Sequence, residues 1–221
     1  MRSLLTPLAL LLAGTVLATT VQAGPITVRL TARDVYWAYT GAANGSGLTL
    51  LGGDNGYAVA ENYSANVPVN SYLYVVAWTG TGQEDQAWQG SVTTGTGTTY
   101  TNATQWEAVS RPAPFANFSD TSAALALAAV EAEIAGAAWQ TNIVTRPANT
   151  WGDRHGGGQA LWIWHDTFIP ASGPLGYSIF RTTLDAGPGN TVPEPASLAL
   201  VLAALGVAGA ARRVRSDLPR A

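Results

Sequence analysis

The 221-residue chain has no cysteine and no lysine, one methionine and two histidines, and only 11% of its residues are charged. Without cysteine there are no disulfides, no cysteine-based metal sites and no thiol nucleophile. His155 and His165 are the only imidazoles, so any metal or acid/base chemistry must draw on them or on carboxylates. Between residues 24 and 192 six arginines stand against twelve acids, a net charge of −6. Phosphate recognition needs a basic face, and none can be assembled here, which argues against nucleic acid as a partner. Those 169 residues have the size of one domain with one substantial core. A domain without disulfides must hold itself together by packing, and all eight tryptophans lie within it.

Long apolar runs occur only at the two ends. Arg2 precedes an apolar stretch over 4–17, and Val21-Gln22-Ala23 offers small residues for cleavage between Ala23 and Gly24. This is the pattern of a signal peptide over residues 1–23. At the other end Pro193, Glu194 and Pro195 are followed by an apolar run over 196–211 and then by Arg212, Arg213 and Arg215. Sixteen helical residues at about 1.5 Å each span roughly 24 Å, slightly less than a hydrocarbon core of about 30 Å. Gly206, Gly209 and the lack of a polar stripe argue against a surface helix of a globular domain. Arginines at its end place that end in the cytoplasm, so the domain before it lies across the membrane. Both termini therefore predict the same outward topology.

The Pro193-Glu194-Pro195 signal, the hydrophobic stretch and the arginine cluster together resemble the PEP-CTERM sorting tail, here over 191–216. The resemblance implies recognition and cleavage by an exosortase near 193–195. It also implies passage through the export machinery, transient anchoring in the inner membrane, and release to the cell surface or exopolysaccharide matrix.

Within residues 24–190 the dominant period is two, the signature of half-buried strands. Val28, Leu30 and Ala32 alternate, and a bend near Arg33-Asp34 re-aims Val35, Trp37 and Tyr39. Asn44-Gly45-Ser46-Gly47 and Gly52-Gly53-Asp54-Asn55-Gly56 read as turns, with a returning strand over 57–63. Tyr72, Tyr74, Val76 and Trp78 fall on one face of the next segment and Leu73, Val75 and Ala77 on the other, predicting a central strand covered on both sides. Further strands are expected over 86–93, 105–109, 160–168 and 177–184, with an exposed loop or edge hairpin over 91–101. A helix interrupts them over 119–138, with Ser119 or Asp120 as N-cap and Leu127, Val130 and Ile134 at helical spacing. The expected fold is mostly β: an antiparallel β-sandwich of jelly-roll type with one inserted helix, between an N-terminal signal helix and a C-terminal transmembrane helix.

Five segments, Asp54-Asn55-Gly56-Tyr57, Tyr74-Val75-Val76-Ala77-Trp78, Trp106-Glu107-Ala108-Val109, Ala160-Leu161-Trp162-Ile163-Trp164 and Phe180-Arg181-Thr182-Thr183-Leu184, resemble the galactose-binding-like modules of exported sugar-handling proteins. The resemblance implies two packed antiparallel sheets. The helix is longer than such modules would carry, and a sandwich fold does not by itself license a sugar ligand.

Catalytic signals are weak. His155-Gly156-Gly157-Gly158 is similar to the glycine-rich oxyanion segment of some esterases, but the chain holds no Gly-x-Ser-x-Gly elbow to serve it. Asp153, His155, His165 and Asp166 together frame the rival reading, a secreted hydrolase, although they meet no zinc spacing. Glu84-Asp85 and the pair Glu131 and Glu133 are adjacent or two apart, which does not set up a glycosidase pair. We therefore expect no catalytic residue, no resident metal and no cofactor, with a calcium held by loop carbonyls left open. The expected ligand surface is aromatic and polar: Trp88 beside Gln83-Glu84-Asp85-Gln86, and Trp151 beside Asp153 and Arg154. A ring that stacks on a pyranose, with polar neighbours for its hydroxyls, is the chemistry of sugar binding. The functional expectation is a non-catalytic structural or carbohydrate-associated module.

Overall fold

Alternating apolar residues build two antiparallel sheets, and one helix closes the outer face of the second. The structure, a computed structural model, describes residues 23–33, 35–54, 58–78, 87–111, 123–146, 152–165 and 177–185. The strands are β1 (Ala23–Ala32), β2 (Val35–Gly41), β3 (Thr49–Asp54), β4 (Glu61–Pro68), β5 (Ser71–Trp78), β6 (Trp88–Thr94), β7 (Gly97–Tyr100), β8 (Glu107–Arg111), β9 (Ile143–Arg146), β10 (Trp162–His165) and β11 (Tyr177–Leu184). The helix α1 (Ala123–Ala135) lies between β8 and β9. One sheet, A, runs β4-β1-β6-β10-β9, with β7 paired to β6; the other, B, runs β3-β2-β5-β11-β8. This is the expected β-sandwich.

The chain changes sheets at the predicted bend after Ala32. Ile26, Val28, Leu30 and Ala32 of β1 point into the core between the sheets, where Tyr36 and Ala38 of β2 meet them. Trp37 and Tyr39 alternate to the opposite face of sheet B. β5 is central in sheet B, as its two apolar faces predict. Leu73, Val75 and Ala77 join the core between the sheets, while Tyr74 and Val76 join a second cluster with Val130 and Ile134 of α1. The helix thus covers one face of sheet B, and its spacing at Leu127, Val130 and Ile134 serves that contact. The N-cap candidates Ser119 and Asp120 lie outside the described residues.

The strands depart from expectation in two places. Gly52 and Gly53 lie inside β3 rather than in a turn, and the returning strand starts at Glu61 instead of residue 57. Both glycines lie under aromatic rings: a Cβ on Gly52 would come within 2.2 Å of the Tyr63 ring, and one on Gly53 within 2.0 Å of the Trp37 ring. Glycine is demanded here by a close approach within a strand, not by a turn. The second departure is β9, which pairs with β10, and just ahead of it Gln140 forms an isolated bridge with Ala108 of β8. The segment from Gln140 to Ile143 therefore steps from the edge of sheet B to that of sheet A.

Trp88 requires a correction. Its side chain is fully buried, 4.7 Å edge-on to Trp106 and 5.5 Å from Phe180. The polar run before it ends where β6 begins, and strand alternation turns Trp88 inward with Val92. It is a core residue and not a ligand platform. Trp151 lies outside the described residues, as do Asp166 and the whole tail including Pro193, Glu194, Pro195, Arg212, Arg213 and Arg215. Among the described residues no helix is long and apolar enough to cross a membrane.

Candidate functional site

Asp153, Arg154 and His155 sit together in a glycine-rich loop tied to sheet A. The Asp153 Oδ1 accepts hydrogen bonds from the backbone N–H groups of His155 (3.1 Å) and Gly156 (2.8 Å), and its Oδ2 accepts from that of Gly158 (2.7 Å). Gly156, Gly157 and Gly158 all have φ between 67° and 87°, the left-handed region that glycine enters without penalty. Their backbone wraps the carboxylate. Below the loop the buried side chain of Gln89 accepts from Arg154 N and His155 N at 3.0 and 3.1 Å, and donates to the Ala160 carbonyl at 2.7 Å. Burial pushes the Asp153 pKa up, but the backbone donors outweigh it and hold the carboxyl below its ordinary value. The N–H groups that resemble an oxyanion hole are thus filled by the chain's own anion.

His155 is 2.7 Å from the Ser91 hydroxyl through Nε2 and edge-on to Tyr100 at 5.8 Å. His165 belongs to a different place. Buried at the end of β10, its Nδ1 lies 2.9 Å from the Ser110 hydroxyl of β8, which also bonds Ser178 of β11. Its Nε2 lies 2.9 Å from Asn142 Oδ1 and 3.2 Å from Gln140 Oε1. Two carboxamide oxygens at Nε2 fit the tautomer that carries its proton there and accepts from Ser110 at Nδ1. The hydroxyl–imidazole–amide chain joins sheet B to sheet A where the chain crosses between their edges. His155 thus meets Ser91 beside the glycine-rich loop and His165 meets Ser110, Asn142 and Gln140 at the end of β10, while Asp166, the fourth residue of the hydrolase reading, lies outside the described residues. No group of three or more His, Asp or Glu suited to a metal ion occurs among them.

The sequence did not single out a third place. On sheet B, Arg181 of β11 pairs in register with Tyr74 and Glu107. Its Nε donates to Glu107 Oε2 at 2.7 Å, and its Nη2 lies 2.7 Å from the same oxygen. The guanidinium carbon stands 4.1 Å from the Trp139 ring centroid and 5.0 Å from that of Tyr72, and Nη1 donates to the Ala43 carbonyl at 3.2 Å. Tyr72 and Trp139 remain half-buried. A cleft lined by Tyr72, Gln105, Glu107, Arg181, Thr182 and Thr183 opens beside them. Aromatic rings next to a carboxylate, a guanidinium and an amide are the composition sought around Trp88, assembled from segments far apart in the chain. Cross-strand alternation of Tyr72 with Leu73 was the available signal; Trp139, beyond the helix, gave none.

No curated protein and no solved structure matches the chain. Residues 191–216 match the PEP-CTERM protein-sorting motif. The chain is thus a substrate for exosortase-type sorting, exported, anchored transiently in a membrane and delivered to the cell surface.

Proposed function

We propose that the β-sandwich, after removal of an N-terminal signal peptide, serves as a non-catalytic structural or carbohydrate-associated module of the cell surface or exopolysaccharide matrix. The observation that carries this reading is the sorting motif over 191–216, which supports delivery to the cell surface. A cut before Gly24 removes only the first residue of β1, so the mature domain keeps its strands. The side chains suited to catalysis are engaged inside the fold: Asp153 by its own loop, His165 by Ser110, Asn142 and Gln140. The sugar-facing surface in this reading is the cleft at Tyr72, Glu107 and Arg181, with Trp139 stacked on the guanidinium.

The hydrolase reading, framed on Asp153, His155, His165 and Asp166, gains one contact from the structure, Ser91 to His155 at 2.7 Å. One experiment separates the two. The protein released by its native host is incubated with that host's exopolysaccharide, and both sedimentation with the polymer and release of soluble sugar are measured. Co-sedimentation that falls at least fivefold in Tyr72→Ala, with no sugar released, supports the binding module. Sugar release abolished by His155→Ala overturns it in favour of the hydrolase, and equal sedimentation of wild type and Tyr72→Ala removes the cleft as the ligand surface.

A further inference from the structure

The two sheets end in open strands on the same side of the sandwich. β4 closes sheet A and β3 closes sheet B. Tyr63 joins them, its ring over Gly52 and its hydroxyl 3.0 Å from that of Tyr36. Among the described residues β4 pairs only with β1, and β3 only with β2. Each leaves one row of backbone N–H and C=O groups facing outward.

Protein edges are commonly guarded by lysine, by proline, by a bulge or by shortness. β4 has few of these guards. It runs eight residues in unbroken register with β1, its one charge is Glu61 at the start, and its one proline is Pro68 at the end. The chain has no lysine at all.

A second observation falls on the same margin. Among the described residues the exposed large hydrophobics are Leu50, Val59 and Val69, at 41%, 64% and 38% exposure. Leu50 lies in β3, Val59 in the connection to β4, and Val69 just after β4. Single exposed apolar residues need no explanation, but here Val59 and Val69 bracket β4 and Leu50 lies on β3, the outermost strand of the other sheet.

We propose that β4 is a self-association edge, pairing antiparallel with β4 of a second copy about a two-fold axis at Ser64. The occupant follows from the strand's own sequence. Centred on Ser64, the pairing sets Asn62 opposite Asn66 and Tyr63 opposite Ala65, and Glu61 opposite Val67. Residues of like parity meet, so outward-facing backbone groups of one copy face those of the other whichever alternation holds. On the solvent side four carboxamides and two hydroxyls, from Asn62, Asn66 and Ser64 of each copy, form an uncharged row with no like charges opposed. The two Glu61 residues lie six positions apart along the ladder, roughly 20 Å, beyond the ~8 Å over which charges act at physiological salt. Pro68, which cannot donate, falls outside the paired segment. Sheet A then continues across the dimer, and Val59 of one copy and Val69 of the other come at the ends of the paired segment.

The absence of native cysteine makes the test direct. Ser64→Cys, on an exposed position, is expressed as the full-length chain in the native host and resolved on non-reducing gels after export to an oxidising compartment. Directly opposed residues in an antiparallel ladder have Cβ atoms about 4.5–5.5 Å apart, close to disulfide reach. Ala128→Cys, on the exposed side of α1, is the control. We expect Ser64→Cys to cross-link at least tenfold more than Ala128→Cys. In the cysteine-free protein, Ser64→Lys places like charges opposite each other and is expected to convert a dimer to monomer by light scattering. Equal cross-linking of the two thiols overturns the proposal, and so does a dimer that survives Ser64→Lys.

Discussion

Three backbone N–H groups converge on the Asp153 carboxylate, and their geometry makes the loop sensitive to acid. The folded-state pKa lies below the ordinary 3.8, so the native loop holds the carboxylate ionised where the unfolded chain has begun to take up a proton. The contribution is therefore complete above about pH 4 and is lost as pH falls through the lowered folded value. Amide-exchange protection at Gly156 and Gly158 is expected to hold from neutral pH down to that range and to fall below it. Asp153→Asn should show weaker protection that does not vary with pH across the same interval; an unchanged profile would mean that some other group holds the loop. Asp153 and the glycines were legible in the sequence as a unit. Gln89, the buried amide that fixes the loop from 64 residues upstream, was not, because only tertiary structure brings it there. Trp88 was misread for a related reason. Its polar neighbours precede the strand, whereas the alternation with Val92 that decides its direction lies after it.

At the scale of elements, local periodicity was a sound guide wherever one strand or helix decided its own burial. β5 with two apolar faces and α1 with Val130 and Ile134 on one stripe both follow from spacing alone. β3 and the bridge at Gln140 did not follow, because their identity depends on partners: rings over glycines in one case, the edge of β8 in the other. α1 gives a prediction at this scale. Ile134 is fully packed against sheet B and the turn at Gly45, where a Cβ would lie 2.7 Å from its Cγ2. Ile134→Ala leaves a cavity between helix, turn and sheet, and is expected to lower unfolding stability by about 2–5 kcal/mol in urea titration. Leu127→Ala, at a half-buried position on the same stripe, should cost clearly less. If both cost under about 0.5 kcal/mol, the range of surface substitutions, then α1 does not contribute to the core of the sandwich.

At the scale of the whole molecule, the sorting tail was the most legible part of the sequence, because its three features need only their order and their composition. The last strand among the described residues ends at Leu184. Nine steps of chain to Pro193, at no more than roughly 3.5 Å each, keep the folded domain within about 30 Å of the proline–glutamate–proline signal. As long as the tail is intact, the domain is confined to the membrane surface, and reaching the matrix requires a cut between Leu184 and the hydrophobic run. The intact mass of the protein recovered from the medium of its native host is therefore expected to match a chain from Gly24 to about Pro193. Glu194→Ala removes the one charge of the signal and is expected to hold the protein in the membrane fraction with Arg212, Arg213 and Arg215 still attached. A wild-type protein that keeps those arginines and stays in the membrane would make the sandwich a permanently tethered domain. Its cleft at Arg181 and its open edge at β4 would then act beside the membrane, because an uncut tail leaves no route to the matrix.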